Sequence, residues 1–291
     1  MKKFLVASGV LLVCFVAFEY LTLPDVSPLK KTNPDVTALM RQREQEARAA
    51  GKRARRQQLW TQYAAISARL RSAVLIGEDD AFYQHEGYDL DQIKESFARN
   101  WEKKGFVRGG STITQQLAKN LYLSTSKNPL RKLREFLIAR RMEEELSKRR
   151  ILEIYLNVIE WGDGIYGAEA ASHAYFGKPS KDLSVREAVL LAAVIPNPRR
   201  MNPSRPSRRV EYRFDLILSR MHQSRQISDQ ELEEARKASE DRGAARQNAE
   251  EELEEAAGWS CPKDYSLSQR REINHGNFTG PSDSLMRRFA D

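Results

Sequence analysis

The sequence predicts an all-α fold, and three observations carry that prediction. Apolar residues recur at helical spacing through most of the stretch from Leu90 to Val194. No series of alternating strands and no internal repeat accompanies them. Start and stop signals punctuate the pattern: Thr112 with Gln115 has the form of a capping box, and Pro196 closes a nearly all-apolar run from Leu183 to Ile195.

The elements follow in order. Lys2 and Lys3 lead into an apolar run from Phe4 to Phe18, broken by Glu19, extended by Tyr20–Leu23 and ended by Pro24. Two lysines ahead of such a run mark a signal peptide or a short membrane anchor. No small-x-small cleavage pattern follows, and Val13 precedes Cys14 where a lipoprotein site needs a small residue. Residues 1–23 therefore read as one uncleaved transmembrane anchor, although the run is short against the ~20 apolar residues usual for a span. Lys2 and Lys3 would stay cytoplasmic. Residues 24–59 read as a linker and a basic juxtamembrane helix. Pro24, Pro28 and Pro34 break the first part, which reads as extended to Asn33, and Val36–Arg56 is polar, alanine-rich and basic, the pattern of a solvated helix.

Globular composition begins at Trp60, and residues 60–225 read as the main domain. Leu133, Phe136 and Leu137, then Ile151, Ile154, Tyr155 and Val158, lie at helical spacing. Leu183–Ile195 has the pattern of a buried helix and Val210–Met221 adds another. Residues 226–291 read as an acidic helix, capped at Ser228-Asp229, and a weakly periodic tail.

Composition narrows the function. The 291 residues carry 48 Lys+Arg against 40 Asp+Glu, a net +8. A mean hydropathy of −0.63 excludes a multi-span membrane protein. A hydrophobic content of 41% excludes a mostly disordered chain. Two cysteines, Cys14 and Cys261, cannot build a disulfide scaffold or a cysteine-based zinc site. The basic excess admits nucleic acid, an anionic membrane surface or a phosphorylated substrate. An anchored chain makes nucleic acid an unsuitable partner, and the cations from Arg41 to Arg56 are expected to face the membrane surface.

Three stretches carry chemistry. Glu78-Asp79 follows the apolar Val74–Ile76, and a carboxylate beside apolar groups has a raised pKa that suits general acid–base work. The plain alternative is acidic residues in the first turn of a helix. Arg108–Asn120 combines Gly109 and Gly110 with Ser111, Thr112, Gln115, Gln116, Lys119 and Asn120. The glycines allow close backbone approach, the helix start offers N–H groups to an anion, and Ser111, Gln115 and Lys119 share one face. An ordinary capped helix is the alternative. Arg131, Lys132 and Glu135 set cations within one turn of a carboxylate, fit for a pyrophosphate or, more plainly, a salt-bridged surface.

Other patterns fall away. Gly162-Asp163-Gly164-Ile165-Tyr166-Gly167 fits G-x-G-x-x-G but follows a helical segment with Asn157 and Glu160, not a strand. Asp89-Leu90-Asp91 is explained by a helix start. Ser124–Lys127 matches S-x-x-K without the companion motifs of a transpeptidase. His85, His173, His222 and His275 lack metal spacing and read as structural.

Taken together, Glu78-Asp79-x-x-Phe82-x-x-His85-x-Gly87, Gly109–Asn120, Arg131-Lys132-x-x-Glu135 and Ser147–Asn157 resemble, in order, the motifs of the family 51 peptidoglycan glycosyltransferases. Ile159–Ala168, Tyr175–Lys178 and Pro196–Pro198 extend the likeness, which covers about Asn33 to Met221 and is nearest the monofunctional branch. The resemblance implies a lysozyme-like α-helical glycosyltransferase domain over 60–225 that polymerises lipid II into a β-1,4 glycan with inversion, releasing undecaprenyl pyrophosphate. Carried over, Glu78 is the general base and Glu135 the second carboxylate. Gly110, Ser111, Thr112, Gln115, Gln116, Lys119, Asn120, Lys127, Arg131 and Lys132 would bind substrate. The resemblance requires no cofactor and leaves room for a divalent cation, magnesium or manganese, near the pyrophosphate. It implies lipid II, the growing glycan strand and the membrane as partners, is compatible with cell-division or elongation proteins, and involves no nucleic acid. It places the chain in a bacterial inner membrane, single-pass, with a cytoplasmic N-terminus and a periplasmic catalytic domain. Lys127-Asn128 departs from the common Arg-Ser, which removes a bidentate fork. Gly77 stands where serine is frequent. Two other readings compete: a hydrolytic or lytic relative, which has no need of the cations, and a non-enzymatic scaffold, which has no need of both glutamates.

Overall fold

A computed structural model describes residues 9–10, 13–14, 17–89, 110–123, 125 and 128–237. The anchor expected over 1–23 lies largely outside these residues, as do Gly109, Ser124, Lys127, Asp91, Cys261, His275 and most of the acidic helix and tail. Residues 1–236 form one compact unit, and a second begins at Lys237. Among the described residues no helix is long and apolar enough to cross a membrane.

Helices dominate. They are α1 (Ala38–Ala49), α2 (Ala68–Glu78), α3 (Ile113–Tyr122), α4 (Pro129–Glu145), α5 (Lys148–Val158), α6 (Ala168–Phe176), α7 (Val185–Val194) and α8 (Arg208–Gln223). Most begin at a side chain that accepts a free backbone N–H: Thr37, Thr112, Asn128, Ser147 and Ser184 each do so. Ser147 caps α5 and so divides the long periodic stretch after Leu130 into two helices. Ser184 and Glu187 complete a capping box on α7, whose residues other than Glu187 are all buried. Ser228 accepts from Glu231 N at 3.2 Å while Glu231 accepts from Ser228 N at 3.0 Å, so the acidic helix starts where expected.

Helix α7 packs against α2 and α8, while α3 packs on α4 and α5 and α1 lies on α3. Trp161, Tyr155, Phe82 and Met142 fill the core between them.

Four details differ from the sequence reading. A small sheet exists: β1 (Gln57–Gln58), β2 (Glu160–Gly162) and β3 (Ile165–Tyr166), ordered β1-β3-β2. β1 pairs in parallel with β3, and β2 runs antiparallel to it. Two-residue strands about a hundred positions apart leave no alternation to read. Glu160 consequently lies in a strand rather than a helix, and Gly162–Gly164 form the β2–β3 turn, not a phosphate loop. The basic helix ends at Ala49 rather than Arg56, and it is not wholly solvated, since Leu39 and Met40 are buried. Residues 24–33 are not an extended linker: Ser27–Lys30 form a 3₁₀ turn with Val26 and Leu29 buried in the core.

Candidate active site

Glu78 is the last residue of α2, so the Glu-Asp pair closes a helix instead of opening one. The neighbouring Asp79 is fully buried and builds the junction. Its Oδ2 accepts the Ile113 N–H at 2.9 Å and its Oδ1 lies 2.9 Å from His85 Nε2. The N-terminus of α3 therefore already holds an anion, this carboxylate, and offers less to a ligand than the sequence suggested. Thr112 finishes the joint, accepting from Gln115 N at 3.3 Å and donating to Gly87 O at 2.8 Å. Only half of the expected capping box forms, because the Gln115 side chain turns toward Lys132 instead, at 3.4 Å.

This clamp sets Gln116, one turn into α3, beside Glu78. Gln116 Nε2 donates to Glu78 Oε2 at 3.1 Å and Gln116 Oε1 accepts from the Tyr155 hydroxyl at 2.9 Å. The other carboxylate oxygen, Oε1, accepts from Arg213 Nη2 at 2.9 Å, and Arg213 is itself held by donating to Ala193 O at 3.0 Å. Burial pushes the Glu78 carboxyl above the usual carboxylate range; Arg213, the Gln116 bond and Lys119 pull it back. Burial also raises the Tyr155 phenol well above its ordinary value, with Glu78 and Asp79 adding to the rise. Tyr155 is thus a fixed donor beneath the glutamate.

The second cluster lies on the facing side of α3 and the start of α4. Glu135 is buried and takes Arg131 Nη1 at 2.6 Å on one oxygen and Lys132 Nζ on the other. Lys132 also donates to Ser111 Oγ at 2.9 Å. Ser111, Gln115 and Lys119 do share a face, and it is turned to this cluster. Burial lowers the Lys119 ammonium; Glu135 and then Glu78 oppose that, while Arg131 and Lys132 add to it. Lys119 therefore feels both glutamates and links the two clusters. Gly110 precedes Ser111, and Asn120 is buried on α3. Gln42 and Thr125 form a reciprocal pair, 2.6 and 3.0 Å, that ties the α3–α4 connection to α1.

Sequence reasoning missed Arg213, Tyr155 and the structural use of Asp79. A local signal existed for Arg213: it interrupts the buried stripe Val210, Phe214, Ile217 on α8, where a cation needs a partner. His85, His173 and His222 each sit against a carboxylate, Asp79, Glu169 and Asp229, in structural pairs. Among the described residues no group of three or more His, Cys, Asp or Glu could hold a metal ion. Both oxygens of Glu135 already face cations, so its surroundings suit an incoming anion better than a metal.

Chemically, the arrangement offers a buried carboxylate able to take a proton and, across Lys119, fixed positive charge where an anionic leaving group would depart.

The profile of the transglycosylase family matches residues 44–222. A biosynthetic peptidoglycan transglycosylase of Methylobacillus flagellatus is 42% identical over 72% of this chain and 92% of its own length. One of an Azoarcus species is 48% identical over 59% of this chain and 74% of its own. A solved penicillin-binding protein 1A from Haemophilus influenzae aligns over 62% of this chain and 18% of its own, at 22% identity and a TM-score of 0.35.

Proposed function

The chain belongs to the transglycosylase family and is a peptidoglycan glycosyltransferase of cell-wall synthesis, and on that premise we propose how its residues perform the transfer. The substrates are lipid II and the growing glycan strand. Glu78 is the general base: it takes the proton from the acceptor 4-hydroxyl as that oxygen attacks C1 of the donor sugar. The C1–O bond to the pyrophosphate breaks, the electron pair leaves with the undecaprenyl pyrophosphate, and the configuration at C1 inverts. Lys119, Arg131 and Lys132 stabilise the charge that develops on the leaving group, and Glu135 orients them. A pyrophosphate leaves readily, so the donor side needs fixed cations rather than a strong acid.

The observation that carries the reading is Glu78 itself, a buried carboxylate held by Gln116 at 3.1 Å and Arg213 at 2.9 Å with Lys119 within electrostatic reach. Burial makes this base stronger than a free glutamate, and the directional donors, which lower its basicity in part, aim it.

Residues 1–23 anchor the chain in the inner membrane, with the catalytic unit on the periplasmic side. Phe18, Tyr20 and Leu21 are exposed apolar groups of this segment, and Leu130, Leu133 and Phe136 are exposed on α4. Arg134, on that same helix, grips Glu19 at 2.9 Å. The two apolar sets therefore belong to one membrane-facing side.

The test is to incubate the purified chain with lipid II in detergent and separate the products on a gel. Polymer should form, and Glu78→Gln should lower its rate by about 10²–10⁴-fold, the range typical of a general base. Shortening of preformed glycan without polymer would mark a hydrolytic enzyme instead. Inertness toward both would mark a scaffold.

A further inference from the structure

A cavity of about 1060 Å³ opens between the C-terminal half of α1, residues 50–57 and the β2–β3 turn, and it shares no lining residue with the Glu78 and Glu135 clusters. Six cationic side chains line it, Arg43, Lys52, Arg53, Arg55, Arg56 and Arg199, against two carboxylates, Glu46 and Asp163. Those carboxylates are already engaged. Glu46 takes Arg43 at 2.9 Å and Arg199 at 3.4 Å, and Asp163 takes Arg199 at 3.1 Å. Arg43 also turns inward to the buried Glu160 at 3.1 Å. Among the described residues Lys52, Arg53 and Arg55 are exposed and form no ion pair, and Arg56 comes only within 3.9 Å of Glu44. Positive charge concentrated in a concavity in excess of its counter-charge is a site for an anion, and guanidinium groups suit carboxylate or phosphate.

The backbone under these cations is fixed. Gln57 N donates to Gly164 O at 2.8 Å where β1 meets β3. Gly164 has φ +73°, and a Cβ there would lie 2.5 Å from Arg55 O. Arg55 and Arg56 are therefore carried by a close-packed strand start.

We propose that this cationic cavity forms an auxiliary site for the carboxylates of a peptide carried on a saccharide strand, with those carboxylates on Arg53 and Arg55. It rests on the proposed reaction in one respect: the growing strand is the polymer of this kind that the chain would meet. A flat membrane surface fits less well, because five of the seven cations of residues 41–56 line a concavity.

The test uses the full chain in detergent and calorimetric titration with a soluble disaccharide–pentapeptide that lacks lipid and pyrophosphate. Binding should weaken about tenfold or more in the Arg53→Ala/Arg55→Ala double variant, as loss of charge-assisted hydrogen bonds implies. It should weaken similarly when the fragment's carboxylates are converted to amides, an arm that alters no residue. Unchanged affinity in either arm overturns the proposal. So does a chain that ignores the fragment but binds phosphatidylglycerol vesicles through Arg53 and Arg55. The rate of lipid II polymerisation by the unaltered chain reads the proposed reaction separately: its failure with fragment binding intact sinks that reaction and leaves the site standing.

Discussion

Glu78 is held in a balance between burial, which favours the neutral acid, and the Arg213 charge with the Gln116 bond, which favour the carboxylate. A general base must be ionised, so activity falls as pH drops through its pKa, and that acid limb should lie above the ordinary glutamate value. Removing a group that lowers the pKa moves the limb further up. Arg213→Gln should shift it toward neutrality by about one pH unit or more, since an opposite charge at this range is worth 1–3 units. Gln116→Leu should shift it in the same direction by less, without touching α8. The kcat/KM profile across pH 4 to 8 reads both. A limb that stays in place while the plateau falls would mean that Arg213 positions substrate and does not tune the glutamate.

At the scale of elements, local signals were legible and distant ones were not. Thr112 and Ser228 revealed helix starts because a cap involves residues three apart. Pro196 and the apolar run before it marked α7 for the same reason. The motif-bearing residues of the site were legible as well, since Gln116, Lys119, Arg131 and Glu135 stand on two adjacent helices. Arg213 lies 135 positions from Glu78, and the β1–β3 pairing spans a comparable gap, so neither leaves a periodic trace. The β3–α6 joint shows how such distant fits are enforced. Gly167 has φ +84° and ψ 151°, backbone that only glycine adopts readily, and a Cβ would meet Asn157 O at 2.7 Å. Gly177, closing α6, has φ +68° but open space around its Cβ position. Gly177→Ala should thus cost only the left-handed penalty, about 1–2 kcal/mol. Gly167→Ala should cost more, roughly 3 kcal/mol or beyond, from backbone strain plus the clash. Urea unfolding of both variants checks the order, and equal losses would refute the contact argument.

At the scale of the whole molecule, residues 19–33 are bound to α4 and α5 and cannot act as a loose tether. Arg134 of α4 reaches Glu19 and the Thr22 carbonyl, each at 2.9 Å. Arg150 of α5 reaches Leu29 O at 2.8 Å, Thr32 O at 2.9 Å and Asn33 Oδ1 at 2.7 Å. Lys30 pairs with Glu145 at 2.5 Å, and Leu23, Val26 and Leu29 enter the core. Because α4 also carries Arg131, Lys132 and Glu135, a segment fixed in a membrane would fix the orientation of the site above it. The question is whether burial or charge holds the strap. The Lys30–Glu145 pair is largely exposed, and such pairs contribute about 0–1 kcal/mol. Truncating a buried leucine costs roughly 2–5 kcal/mol. In a domain of this size each kcal/mol moves Tm by about 2–4 °C. Leu29→Ala should therefore lower Tm by roughly 4–20 °C, and Lys30→Ala by under about 4 °C. If Lys30→Ala proved as damaging as Leu29→Ala in a thermal melt, the strap would be held by charge, and raising the salt concentration should then loosen it.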